Sequence, residues 1–124
     1  MNTPISFELA KLLKEKGFNL PTIKYYVDKN TCVDCLPAKI DGSYPTNDDM
    51  ITDWCSAPII SEVVMWLCEK HRIWIEVIVE SPNYFGYSVC NIKNNTSQDG
   101  DYVSYDSPTE AYEAAIEYTL KNLI

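Results

Sequence analysis

The sequence predicts an α+β fold, an antiparallel sheet of three to four strands covered by three helices. Three observations lead there. Segments 4–16, 58–71 and 107–124 repeat apolar residues at helical spacing behind recognisable start signals. Residues 73–80 and 84–92 alternate apolar and polar side chains with a period of two. Only Ser81-Pro82-Asn83 separates those two runs, too little chain for a parallel crossover, so they pair as an antiparallel hairpin.

Taken in order, residues 4–16 read PISFELAKLLKEK, with Ile5, Leu9, Leu12 and Leu13 on one face and Glu8, Lys11, Lys14 and Glu15 elsewhere. Thr3 is the expected cap, Pro4 takes the first helical position, and Gly17 ends the helix in a left-handed conformation. Pro21 opens the next element, in which Ile23, Tyr25 and Val27 alternate with Lys24, Tyr26 and Asp28 as a strand with one buried face. Periodicity then dissolves over residues 30–56. That segment carries Asp34, Asp41, Asp48, Asp49 and Asp53 against a single Lys39, and it reads as a long, irregular acidic loop with a short helix or turn near 47–54. Val33, Leu36, Ile40, Met50, Ile51 and Trp54 are its candidate anchors.

Pro58 marks the first turn of the second helix, whose apolar face is Ile60, Val63, Val64, Leu67 and His71. The hairpin follows. In it Ile73, Ile75, Val77 and Val79 alternate with Trp74, Glu76, Ile78 and Glu80, and Phe85, Tyr87 and Val89 with Gly86, Ser88 and Cys90. Residues 93–101 read as a polar loop and 102–105 as a short strand. Ser107-Pro108-Thr109-Glu110 is a capping box with proline at the first helical position, and the closing helix turns Tyr112, Ala115, Ile116, Thr119, Leu120 and Leu123 inward. Neither repeats nor a change of composition divides the chain, so residues 1–124 are expected to form a single domain, and 46% hydrophobic residues supply its core.

Composition excludes several function classes. A net charge of −8 with scattered basic residues disfavours direct nucleic-acid binding and anionic membrane surfaces, both of which need clustered Lys and Arg. No run approaches the length of a membrane span, and the N-terminus lacks a basic segment followed by an apolar core. The expectation is a cytoplasmic protein with five reduced cysteines. Catalysis is not indicated. There is one His, the four Gly stand singly, and Asp99-Gly100-Asp101 falls short of a calcium loop. A redox role for Cys32 and Cys35 would require them to open a helix after a strand, whereas Pro37 and an acidic loop follow.

Two constellations remain. Cys32-x-x-Cys35 and Cys68-x-x-His71 have the spacing of a Cys3His zinc site. The same residues are explained without metal by Cys68 as a small apolar filler and His71 as a helix-ending imidazole, so the leading expectation is no cofactor, with zinc as the alternative. Trp66, Trp74, Tyr84, Tyr87 and Tyr102 are candidates for an exposed aromatic interaction surface, Glu76 and Glu80 sharing the strand face of Trp74. Six acids and no base between Asp99 and Glu117 admit a third reading, an acidic regulator that imitates nucleic acid.

The series Pro58, Glu62-Val63, Trp66-Leu67, Glu69-Lys70-His71, Ile73, Ile75 and Val77, with the opening ISFELAKLLKEKGF, resembles small phage and prophage proteins of Bacteroides-type gut bacteria. The closing SPTEAYEAAIEYTLKNLI is similar to the phage ABA-sandwich domain, in which helices lie on both sides of a sheet. The resemblance covers both ends of the chain, leaves residues 28–56 aside and carries no catalytic residue. It implies a module of mobile-element origin in a bacterial host cell. Together with the residues, it leads to the expectation of a non-catalytic module that binds another protein, a homodimer being one form of such binding.

Overall fold

The computed structural model describes residues 3–35, 43–50, 53–100 and 104–124. The loop anchors Leu36, Ile40 and Ile51 and the aromatic Tyr102 lie outside them. The fold is α+β as expected, with α1 (Phe7–Glu15), α2 (Ile60–His71) and α3 (Pro108–Asn122). Among the described residues the strands form two three-stranded antiparallel sheets instead of one. The chain divides into two compact units, residues 2–59 and residues 60–124.

In the first unit, α1 begins later than its sequence signals indicate. Ser6, not Thr3, is the cap, its hydroxyl accepting from the Leu9 N–H at 3.3 Å. Pro4 instead sits in an isolated antiparallel bridge with Ile59, and the Ile5 N–H donates to the Pro58 carbonyl at 2.9 Å. A proline has no N–H to give, so it suits a bridge that uses its neighbour's donor. Leu9, Ala10 and Leu13 are the buried stripe. The helix ends as anticipated. Gly17 takes φ +90°, its N–H donates to the Lys14 carbonyl, and the Phe18 N–H reaches back to the Leu13 carbonyl at 3.0 Å. This Schellman closure brings the fully buried Phe18 and Leu13 into the core.

The sheet of this unit has the order β2-β1-β3, with β1 (Lys24–Asp28) in the centre, β2 (Thr31–Asp34) beside it and the two-residue β3 (Cys55–Ser56) opposite. Segment 30–56 is therefore not wholly irregular, since both flanking strands and a 3-10 turn at Asn47–Asp49 come from it. Nor does β1 show one buried face. Tyr25, Tyr26 and Val27 are half-buried, and Ile23, just before the strand, is exposed. The turn at Asn47–Asp49 joins the unit. The buried Asn47 amide donates to the Phe18 carbonyl (2.7 Å), and its oxygen accepts from the Ser56 N–H (2.8 Å). Asn19 and Asp48 add a reciprocal pair at 2.8 Å. One side chain thus ties the end of α1 to β3.

In the second unit, β4 (Ile73–Ser81) pairs with β5 (Tyr84–Asn91), which pairs with β6 (Thr96–Asp99), all antiparallel. The strand β6 occupies part of the expected polar loop. All four of its side chains are exposed, so no apolar alternation announces it. Tyr105 adds a short bridge to Phe85 farther along β5, where a strand at 102–105 was expected. Helices α2 and α3 cover one face of the sheet, burying Ile73, Ile75 and Val89 beneath Ile60, Val63, Leu67, Ala111, Ala115, Ile116 and Leu120. Ser107 caps α3 as read, its hydroxyl accepting from the Glu110 N–H, but the reciprocal half of the capping box goes to the preceding residue, the Glu110 carboxylate accepting from the Asp106 N–H. Between α2 and β4, Arg72 takes φ +57°, its N–H donating to the Cys68 carbonyl. That left-handed position normally falls to glycine.

Two stability measurements follow. Asn47→Ala removes both buried bonds and leaves the Ser56 N–H without its acceptor, so urea denaturation should show a loss of about 2–4 kcal/mol. Arg72→Gly relieves the left-handed backbone and should raise stability by about 0.5–1 kcal/mol.

Candidate functional site

The pleat of the hairpin decides what the second unit presents. Ile75 pairs with Val89 and Val77 with Tyr87, so odd-numbered side chains of β4 and β5 turn toward the helices. The even-numbered set turns away: Trp74, Glu76, Ile78 and Glu80 on β4, Tyr84, Gly86, Ser88 and Cys90 on β5, and Ser97 and Asp99 on β6. Among the described residues no helix of this unit lies on that face. Trp74 is 41% exposed, Ile78 41% and Tyr84 47%. The face mixes apolar groups with the carboxylates of Glu76, Glu80 and Asp99, and no Lys or Arg stands at any of these positions. Glu80 lies across Gly86, where a side chain would collide with its carboxylate, and accepts from the Ser104 hydroxyl at 3.0 Å. The absence of a Cβ at 86 lets Glu80 fold down and leaves Ile78 standing clear.

The structure divides four of the five aromatic residues singled out in the sequence, Tyr102 lying outside the described residues. Trp74 and Tyr84 share the open face. Tyr87 is on the opposite, helix-covered face, its ring 6.5 Å from Tyr118 of α3 and 6.3 Å from Tyr105. Trp66 is not available to a partner. It is 5% exposed, with its ring edge-on to His71 at 4.9 Å. Its position outside the expected stripe is explained by a buried arc on α2 that is wider than one stripe, Ile60, Val63, Val64, Trp66 and Leu67 all being covered. Sequence reasoning passed over Ile78, whose exposure follows from the alternation that exposes Trp74.

The first unit has an open cleft of about 740 Å³, lined by Phe7, Lys11, Lys14, Val27, Trp54 and Cys55 among others. Two of its three lysines have local occupations. The Lys14 ammonium donates to the Trp54 carbonyl at 2.6 Å, and that of Lys11 lies over the Phe7 ring at 5.6 Å. Three lysines are balanced there by Glu15, Asp28 and Asp53. Burial pushes the Cys55 thiol above its ordinary range, away from the thiolate a nucleophile requires.

Cys32 is exposed on β2 and Cys35 buried just beyond it, both outside any helix start, and burial raises both thiols. Cys32 and Cys35 belong to the first unit, Cys68 and His71 to the second. Among the described residues, no three His, Cys, Asp or Glu side chains form a group that could hold a metal ion. His71 ends α2 as read. Burial, then Lys70 and Lys93, push its pKa below the usual imidazole value, and its buried Nε2 has no hydrogen-bond partner among the described residues. The acids of the 99–117 run are partly engaged locally, Glu110 accepting from the Asp106 N–H and Glu117 pairing with Lys121. Among the described residues no helix is long and apolar enough to cross a membrane. Compared with protein-family models, curated proteins and solved structures, the chain matches none.

The direction of the His71 shift sets a pH dependence. The unfolded chain takes up a proton near the ordinary value of 6.5, which folded His71 accepts only at lower pH. Its contribution to stability is therefore complete above that value and declines as pH falls below it. Urea midpoints measured from about pH 7.5 down to about pH 5.5 should decrease, and His71→Gln should flatten the decrease.

Proposed function

We propose that the chain is a non-catalytic module of the phage or prophage type that acts by binding another polypeptide through the even-numbered face of β4, β5 and β6. One observation carries the reading. Trp74, Ile78 and Tyr84 are held exposed on a single rigid sheet face, although the same unit buries Ile73, Ile75 and Val89 one residue away. Exposed apolar side chains gathered on one surface mark interaction sites, and tryptophan and tyrosine are the residues interfaces favour as anchors. Glu76, Glu80 and Asp99 form its charged surround. Burial raises the thiols of Cys32, Cys35 and Cys55 toward the protonated form, and the Nε2 of the one imidazole is buried.

The experiment compares tagged wild-type protein with Trp74→Ala and Ile78→Ser as bait, quantifying co-purified proteins. Both side chains are exposed, so melting temperatures should barely move. At least one specifically retained polypeptide should fall more than about tenfold with either substitution, as expected for an interface anchor. An unchanged set of retained polypeptides sinks the reading.

A further inference from the structure

The open face of β4, β5 and β6 has a relief that its register dictates. Across β4 and β5 each large side chain of that face stands opposite a small one: Trp74 opposite Cys90, Glu76 opposite Ser88 and Ile78 opposite Gly86. β5 therefore forms the floor of a shallow trough, with Trp74, Glu76 and Ile78 as one wall. Asp99 of β6, paired with the same Ser88, stands on the far side. Two strand spacings put the Glu76 and Asp99 backbones about 10 Å apart, with Ser88 between them. Glu80 lies across the buried Gly86 and accepts from the Ser104 hydroxyl, covering the floor at that end. Glu76, Glu80 and Asp99 are all exposed. Arg72 and Lys93, the basic residues nearest in sequence, fall outside the three strands.

We infer that the occupant of this trough is a basic segment of another protein, with a Lys or Arg seated over Ser88 and apolar side chains on either side of it. The inference rests on the reading of this face as a binding surface and supplies the chemistry of the partner. Charge complementarity selects that chemistry. A cation over Ser88 lies between two carboxylates, whereas an anion there is repelled from both sides. Trp74 and Ile78 flank Glu76 at about 7 Å along the strand, so the partner needs apolar groups at that spacing around its cation, which an extended segment supplies at alternate residues. A second copy does not fit face to face, since the face holds no Lys or Arg and two such faces would set carboxylate against carboxylate. The net charge of the whole chain, −8, draws the same kind of partner from a distance. Exposed ion pairs each contribute little, so Trp74 and Ile78 hold the partner while Glu76 and Asp99 choose it.

A random peptide library displayed on phage, panned in parallel against the immobilised intact chain and its Trp74→Ala variant, tests this. Peptides retained by the first and lost by the second should carry more Lys and Arg than Asp and Glu, with apolar residues flanking the cations. Synthesised with a fluorophore, such a peptide should bind Glu76→Lys at least about tenfold more weakly than wild type, and the neutral double variant Glu76→Gln, Asp99→Asn several-fold more weakly. Glu69→Lys makes the same change in net charge at an exposed position of α2 and should leave the affinity within about twofold. Raising NaCl from about 0.05 to 0.5 M should narrow the gap between wild type and Glu76→Lys. Trp74-dependent peptides that are neutral or acidic overturn the basic partner and leave the face as a binding surface. Basic peptides that bind Glu76→Lys as tightly as wild type, or lose as much with Glu69→Lys, do the same. A library without Trp74-dependent peptides overturns both. Should Glu76→Lys fail to fold, the neutral double variant decides.

Discussion

Pairing of Ile75 with Val89 and of Val77 with Tyr87 governs the second unit. A strand sends successive side chains to opposite sides, so once those pairs are set every other residue of the hairpin has its side. The covering helices select the register by burying Ile73, Ile75 and Val89. Trp74 and Ile78 are then exposed as a consequence, because no arrangement of this hairpin hides both faces beneath two helices on one side. The open face and the core are two results of one constraint.

The first unit is governed differently. Its strands are short and its central strand only half-buried, so side-chain hydrogen bonds do more of the joining. Asn47 bonds at once to the end of α1 and to β3, and the Asn19–Asp48 pair supports it. Buried polar groups of this kind stabilise modestly when satisfied and cost much more when a partner is lost. Its cleft beside α1 has charges of both signs, with Lys14 and Lys11 already engaged, and so presents no strong field to a ligand.

Exposed apolar side chains on a sheet face are costly for an isolated chain, since they invite association. In the second unit Trp74, Ile78 and Tyr84 carry that cost together on one face.

Much of this was legible from residue order because the controlling physics is local. The Gly17 cap, the Ser107 cap and the odd-even split of β4 depend on a few neighbouring residues and appear where the sequence places them. The start of α1 was not legible, since Thr3 and Ser6 are both competent caps and the bridge of Pro4 to Ile59, residues distant in sequence, chooses between them. Nor was β6, whose Thr-Ser-Gln-Asp lacks apolar alternation and is recruited by backbone pairing with β5 alone. Of the aromatic residues, sequence determined that Trp74 and Ile78 share a face. Only the tertiary structure decided that Trp66 is buried against His71 and Tyr87 covered by α3, because burial depends on which elements pack together, and periodicity within one element carries no record of its neighbours.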